Sequence, residues 1–272
     1  MTTPAGPAAK AVAEDRGGTR GGLPGGTRAA LVVMAAGSAT RMGLGVNKVL
    51  LPLAGRPMLC WSLTTASRLP QVTRVVVVVA DRDEHQVREV LEREMPGLDV
   101  RVVIGGATRH ASEWHALRSL APEIRRATFE VIVVHDAARP LASTTVFDDV
   151  IAAAARYGGA VPVRPQHALV TSDGAELPSG QDLVTVQTPQ AFQAAPLLSA
   201  YEQAERSGFA GTDTASSFEK YTDLPVRCVV APAENIKVTV HADLRLAEAL
   251  LVDRAPYPAL QVADDAQDAS DR

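Results

Sequence analysis

The run Thr73 to Ala80, TRVVVVVA, constrains this chain more than any other stretch. A strand with one face in water alternates apolar and polar residues. A continuous β-branched run suits a strand covered on both faces, which is the situation inside a parallel sheet. Such a strand needs helices above and below it, and the flanking sequence supplies them. Residues 57 to 68 read as a helix with proline in its first turn, and residues 83 to 95 as a charged amphipathic helix. Residues 100 to 104 read as a strand, 108 to 120 as a helix, 129 to 135 (FEVIVVH) as a strand, and 144 to 157 as a helix. This βα alternation predicts an α/β fold, a doubly wound, mostly parallel sheet with right-handed crossovers. Ligands of such sheets sit beyond the carboxyl ends of the strands. Gly37, Gly105-Gly106 and Asp136 all follow strands, so their loops can converge on one crevice.

After residue 157 the alternation stops. Ala160 to Arg164 reads as a short strand ending at Pro165. Residues 168–171 and 176–177 flank Ser172-Asp173-Gly174, a hairpin-turn signal, and 184–187 lead back to the sheet. Residues 163 to 187 are therefore read as a protruding β-arm. A helix (195–207), a polar segment GTDTASSFEK, a strand (226–230), NIKVTV (235–240) and a closing helix (242–252) follow. Residues 1–27 are rich in Gly, Ala, Thr and Pro, contain Glu14 and Asp15, and have no apolar core of a secretory signal. They are read as a disordered extension, and 253–272 as a solvated acidic tail. The domain proper is expected to span 28–252.

Composition excludes several function classes. A net charge of −4 gives no field for nucleic acid, and aromatics at 4% give no stacking platform for single strands. No apolar run is long enough to span a bilayer. Cys60 and Cys228 stand far apart in apolar surroundings, neither a metal pair nor a disulfide framework, which fits a reduced, cytoplasmic setting.

The chemistry is concentrated in residues 31 to 53. The apolar run Leu31 to Met34 ends in Ala35-Ala36-Gly37, and a polar loop then carries Arg41 and, seven positions on, Lys48. Small residues after a buried strand let backbone N–H groups approach an anion, and the two cations suit a polyphosphate. Neither the Walker pattern nor the dinucleotide fingerprint is present: Leu44 follows Gly43, and Ala39 and Met42 break the glycine spacing.

Six segments, AAGSATRMGLGVNK, IGGATRHAS, VHDAARP, VQTPQAF, TDTASSFE and ENIKVTVHADL, occur in order between about Arg28 and Leu251. Together they resemble 2-C-methyl-D-erythritol 4-phosphate cytidylyltransferases. Ribitol-5-phosphate cytidylyltransferases share much of the set. The resemblance implies a nucleotidyltransferase-type fold, Mg2+, and transfer of CMP from CTP to a polyol phosphate with release of pyrophosphate. It implies that Arg41 and Lys48 hold the triphosphate and stabilise the transition state, that Lys237 is a third catalytic cation near the α-phosphate and the acceptor, and that Asp136 binds the metal. Gly105, Gly106 and Ser112 would recognise cytosine and ribose, with Ala35, Ala36, Gly37 and Ala137 in the same binding surface. Arg139 and Thr188 would face the acceptor. It also implies a homodimer through exchanged β-arms. Asp213 either orients the site or caps a turn at 215–219. His135 is read as buried structure.

The chain departs from that family at named places. Ala39 stands where glycine is common and Asn47 where proline is common, both read as mild changes. Pro165, Gln166, His167 and Ala168 replace an Asp-Thr-x-Lys segment that touches the acceptor. Gly180 lies near the position of an arginine that reaches the neighbouring subunit. The CTP side is kept and the acceptor side altered. Three readings follow: a methylerythritol phosphate enzyme, a cytidylyltransferase for another polyol phosphate or phosphonate, or a catalytically poor CTP-binding protein.

Overall fold

A computed structural model describes residues 26–37, 47–166 and 183–252. The expected α/β architecture is present, with a local β2–β3 pair and a strand β9 that only non-local pairing produces. Strands β1 (Ala29–Met34), β2 (Pro52–Leu53), β3 (Arg56–Pro57), β4 (Val72–Val79), β5 (Val100–Ile104), β6 (Val131–Asp136), β7 (Gly159–Pro165), β8 (Val184–Val186), β9 (Gln190–Gln193) and β10 (Val226–Val230) are interspersed with seven α-helices among the described residues. The helices are α1 (Met58–Ala66), α2 (Glu84–Glu94), α3 (Arg109–Arg125), α4 (Thr144–Tyr157), α5 (Ala194–Ser207), α6 (Thr214–Tyr221) and α7 (His241–Val252). The main sheet runs β10-β7-β9-β6-β1-β4-β5, with β8 added to β7, while β2 and β3 form a separate small pair. Pairings β6–β1, β1–β4, β4–β5 and β10–β7 are parallel, and β9 runs antiparallel between β6 and β7.

The valine run explains the layering. Successive side chains of a strand point to opposite faces. Leu31, Val33, Val75, Val77, Val79, Val131 and Val133 pack on one face against Leu59 and Leu63 of α1, Val87 and Leu91 of α2, and Phe147, Val150 and Ile151 of α4. Val32, Val76, Val78, Ile132 and Val134 pack on the other against Leu117, Leu120 and Ile124 of α3, Leu197 and Tyr201 of α5, and Phe218 of α6. A third cluster, with Leu53, Met58, Trp61, Leu141, Val238 and Ala247, seats α7 and the segment before it.

Several local expectations are corrected. The segment GTDTASSFEK is a helix, α6, started by a capping box in which Asp213 accepts from the Ser216 amide at 2.9 Å. QAFQ is a strand, because Gln190 to Phe192 fill the slot beside β6. Residues 235–239 take no regular secondary structure. Helix α3 runs to Arg125 because Ala121 and Ile124 continue its buried stripe. Pro57 is the N-cap of α1 and lies in β3. At the end of α4, Gly158 adopts φ 127°, a conformation that side-chain-bearing residues rarely reach, and turns the chain into β7.

Of the arm, the described residues show the base. Val163, Arg164 and Pro165 pair antiparallel with Val186, Thr185 and Val184. The hairpin turn at 172–174, His167, Ala168 and Gly180 lie outside the described residues, as do Arg41, Ala39 and the terminal segments 1–25 and 253–272. No helix of the described residues is long and apolar enough to cross a membrane.

Candidate active site

Strand β1 has β4 on one side and β6 on the other, so the loops leaving β1 and β6 part company above it. That divergence opens a crevice at the carboxyl ends of the strands. A cleft of about 420 Å³ lies there. Its walls come from the segments after β1 (Ala36, Gly37), after β4 (Ala80, Arg82) and after β5 (Gly106 to Arg109), and from the end of β6 and the turn beyond it (Asp136, Ala138), together with Ser112, Lys48 and Lys237.

Asp136 lies at its floor. The last residue of β6, it is held by the backbone between Met34 of β1 and the amide of Ala137, which donates to Met34 O at 3.1 Å. Its Oδ2 accepts from Lys237 Nζ at 2.6 Å, and its Oδ1 accepts from Arg109 Nη1 at 2.5 Å. Burial opposes ionisation, but the charge of Arg109, then that of Lys237, outweighs it and holds the carboxyl far below its ordinary range. Lys237 reaches this point from a segment with no helix or strand, pinned by the Val238 amide donating to Ala138 O at 2.8 Å. Lys48 Nζ donates to Val238 O at 3.0 Å, so both lysines converge on one piece of backbone.

Gly105 and Gly106 form the opposite wall. A Cβ on Gly106 would come within 2.5 Å of Ala111 Cβ, and one on Gly105 within 2.8 Å of Ser112 Oγ, so the loop passes too close to α3 for any side chain. Ser112 Oγ accepts from the Gly106 amide at 3.1 Å and fixes the loop.

Not every expected residue opens onto the cleft. Thr188 is 4% exposed, and its hydroxyl accepts from the Asp136 amide at 3.0 Å. Arg139 is not among the residues lining the cleft; it donates to Asn235 O at 2.8 Å, and burial lowers its pKa. Ala35 and Ala137 are fully buried, and Ala35 donates to Val78 O at 2.8 Å. Gly105 and these four support the cleft from outside its lining, while Ala36, Gly37, Lys48, Gly106, Ser112, Asp136 and Lys237 line it. His135 is 0% exposed, and burial pushes its imidazole down to about 4, so it stays neutral inside the core.

Two members of the charged cluster were not singled out by sequence reading. Arg109 is the first residue of α3, and Glu113 lies one turn later. Glu113 is 2% exposed, receives Tyr201 Oη at 2.5 Å and Thr214 Oγ1 at 2.9 Å, and lies 3.0 Å from Arg109 Nε. Arg109 Nε makes no hydrogen bond, so that contact is ionic. Burial raises the Glu113 pKa, against the opposing pull of Arg109 and its two donors. The signal was present in the sequence: a basic residue at the first position of a helix opposes the helix dipole and so calls for another reason to be there.

The family model described as 2-C-methyl-D-erythritol 4-phosphate cytidylyltransferase matches residues 29–253.

The chain belongs to that family. It is 39% identical over 230 residues to the 2-C-methyl-D-erythritol 4-phosphate cytidylyltransferase of Symbiobacterium thermophilum, covering 83% of this chain and 93% of that one. It is 34% identical over 227 residues to the protein of the same name from Geobacillus kaustophilus, covering 82% and 96%. Among solved structures, 4-diphosphocytidyl-2C-methyl-D-erythritol synthase from Anaerococcus prevotii superposes with a TM-score of 0.70 at 28% identity, covering 84% of this chain and 97% of that chain. The cytidylyltransferase of Thermus thermophilus gives 0.62 at 31%, covering 82% and 98%. Members of this family are CTP-dependent nucleotidyltransferases, and the mostly parallel sheet places the cleft described above in that fold.

Proposed function

We propose that this chain transfers CMP from CTP to 2-C-methyl-D-erythritol 4-phosphate, releasing pyrophosphate. The observation that carries this reading is the constellation Asp136, Lys237 and Lys48 at the strand ends of a chain that matches the family over residues 29–253. An acceptor phosphate oxygen attacks the α-phosphorus of CTP. The bond from that phosphorus to the bridging oxygen breaks, and its electron pair leaves with pyrophosphate. A phosphomonoester is already anionic near neutral pH, so the reaction asks for charge neutralisation and alignment rather than a strong base. Lys48 and Lys237 supply fixed positive charge at the cleft, and Arg41 joins them in this reading.

The donor set fits a hard divalent cation such as Mg2+. Asp136 offers carboxylate oxygens that already attract cations on both sides. Among the described residues no three His, Cys, Asp or Glu side chains are grouped so as to hold a metal ion, so in this reading nucleotide phosphates and water would complete the coordination. When bound, the metal neutralises phosphate charge.

A second reading of the acceptor rests on the arm. Pro165 carries no donor, and Gln166 Nε2 donates to Thr185 Oγ1 at 3.0 Å across the base of the arm. Arg164 is exposed there, a donor for an acceptor phosphate among the described residues of the arm, with His167 beside it in sequence. This chemistry leaves room for ribitol 5-phosphate or a related polyol phosphate. A homodimer of exchanged arms is part of the proposal, supported by Val186 and Val230, 45% and 73% exposed, which flank Val163 on neighbouring strands. A cytoplasmic setting completes the reading. The deciding assay measures pyrophosphate release from CTP and Mg2+ with a panel of phosphorylated polyols. Turnover is expected to be fastest with methylerythritol phosphate; a faster ribitol 5-phosphate reaction would reassign the acceptor, and no release with any member would leave a CTP-binding protein.

A further inference from the structure

Asp136 is the carboxylate best placed for a metal, yet both its oxygens are taken by side chains of the chain itself. Lys237 is one of the cations the motif already implies. Arg109 is the unexplained one. It stands at the start of α3, where its charge gains nothing from the helix dipole. Its side chain is 29% exposed and lines the cleft, while its Nε rests 3.0 Å from Glu113. The Glu113 side chain is 1% exposed and fastened by Tyr201 and Thr214, from two other helices. Arg109 therefore rests its Nε beside a buried carboxylate held by two donors and reaches with its tip to a carboxylate that lines the cleft.

We propose that Arg109 is a placeholder cation, occupying the Asp136 oxygen that a divalent metal takes, and that it turns about its Glu113 anchor toward the triphosphate when metal and CTP arrive. Three cations crowded on one carboxylate would repel one another, so the metal's entry requires one of them to leave. Among the described residues Lys237 pairs with the Asp136 carboxylate alone, whereas Arg109 keeps Glu113 as a partner after release. The triphosphate supplies the other partner, and the Arg109 fork suits two phosphate oxygens at once. Metal and nucleotide binding are then coupled through one side chain. The nucleotide half of this inference rests on the proposed CTP reaction; the metal half does not.

The test uses the full chain and pairs two readouts that a merely structural role would move together. Free Mn2+ is titrated by electron paramagnetic resonance into nucleotide-free wild type, Arg109→Gln, Arg109→Lys and the double variant Arg109→Gln with Asp136→Asn. CTP affinity is measured by calorimetry at saturating Mg2+. Arg109→Gln is expected to bind Mn2+ about tenfold more tightly than wild type and CTP about tenfold more weakly, opposite shifts within the usual range of coupling between sites. Arg109→Lys should stay near wild type for Mn2+, and Asp136→Asn should abolish the gain. Mn2+ affinity unchanged or weakened in a folded Arg109→Gln protein would overturn the placeholder role. A Mn2+ gain that survives Asp136→Asn would overturn it too. Tighter Mn2+ with unchanged CTP affinity would overturn the swing to the triphosphate. Wild type that binds no CTP would sink the CTP reading, and the swing with it, while the Mn2+ titration would still decide the competition at Asp136.

Discussion

The nucleotide-side cleft and the base of the β-arm belong to the same sheet but are built on opposite principles. The cleft rises from β1, β4, β5 and β6, of which β1, β4 and β6 are buried deep between two helix layers. Its charged groups are locked by one another: Glu113 to Arg109, Arg109 and Lys237 to Asp136, and Lys48 to Val238 O. At the arm, β7 leaves the core after Val163, and Arg164 and Pro165 are exposed beside the short, mostly exposed β8. The difference teaches where each kind of specificity can reside. Fixed electrostatics for a triphosphate need groups whose positions are paid for by burial, whereas a surface ribbon can change residues at little structural cost.

Four variants would break or sharpen this contrast. The largest effect is expected from Lys48→Ala, which should lower kcat by on the order of a hundredfold or more while CTP affinity falls much less, because a charge aimed at the transition state is lost. Steady-state kinetics within a few-fold of wild type would remove Lys48 from catalysis. Next comes Glu113→Ala. The truncation removes one of the two carboxylates that hold Arg109 and leaves the buried Tyr201 and Thr214 hydroxyls without their acceptor, and a loss of about 3–5 kcal/mol is expected in denaturant unfolding. An unfolding midpoint equal to that of wild type would show that the buried cluster is not what stiffens the cleft.

Asn47→Pro, which installs the residue that relatives commonly carry, should cost about 1–3 kcal/mol, the usual cost of one buried polar group left unpaired. In this chain Asn47 is 2% exposed; its Nδ2 donates to Ala35 O at 2.7 Å and to Asp83 Oδ2 at 2.9 Å, and its Oδ1 accepts from the Val49 amide at 3.3 Å. The replacement read from sequence as mild thus ties the end of the first loop to β1 and to Asp83. A melting temperature that does not move on Asn47→Pro would show these bonds to be dispensable. The smallest structural effect belongs to the arm: Arg164→Ala, at an exposed position, should change stability within about 0.5 kcal/mol, and the kinetic test pairs it with His167→Ala. Acceptor KM should nevertheless rise severalfold with CTP affinity intact. Unchanged acceptor kinetics in a protein that remains dimeric by sedimentation would exclude the arm from substrate recognition.

What the sequence determined by itself was the layered sheet and the order of its motifs. Five valines in succession admit few environments other than a strand covered on both faces, and Val100–Ile104 and Thr144–Tyr157 have the bounds their patterns implied. Asp136 and Lys237 were legible as site candidates because ordered motifs carry them, and the structure brings them within 2.6 Å of each other across a separation of 101 residues. Tertiary structure alone decided the rest. Strand β9 has only four residues and exists because a gap between β6 and β7 must be filled by backbone that can complete both ladders. Helix α6 looked like a polar loop until Thr214 and Phe218 had something to pack and bond against. Glu113 reads from the sequence as an ordinary helical glutamate; it becomes a buried anchor only when α5 and α6 bring Tyr201 and Thr214 to it and Arg109 turns back along its own helix. Local pattern reports which face of an element is apolar, but the partner of a buried charge is set by chain segments tens of residues away, and no periodicity encodes that distance.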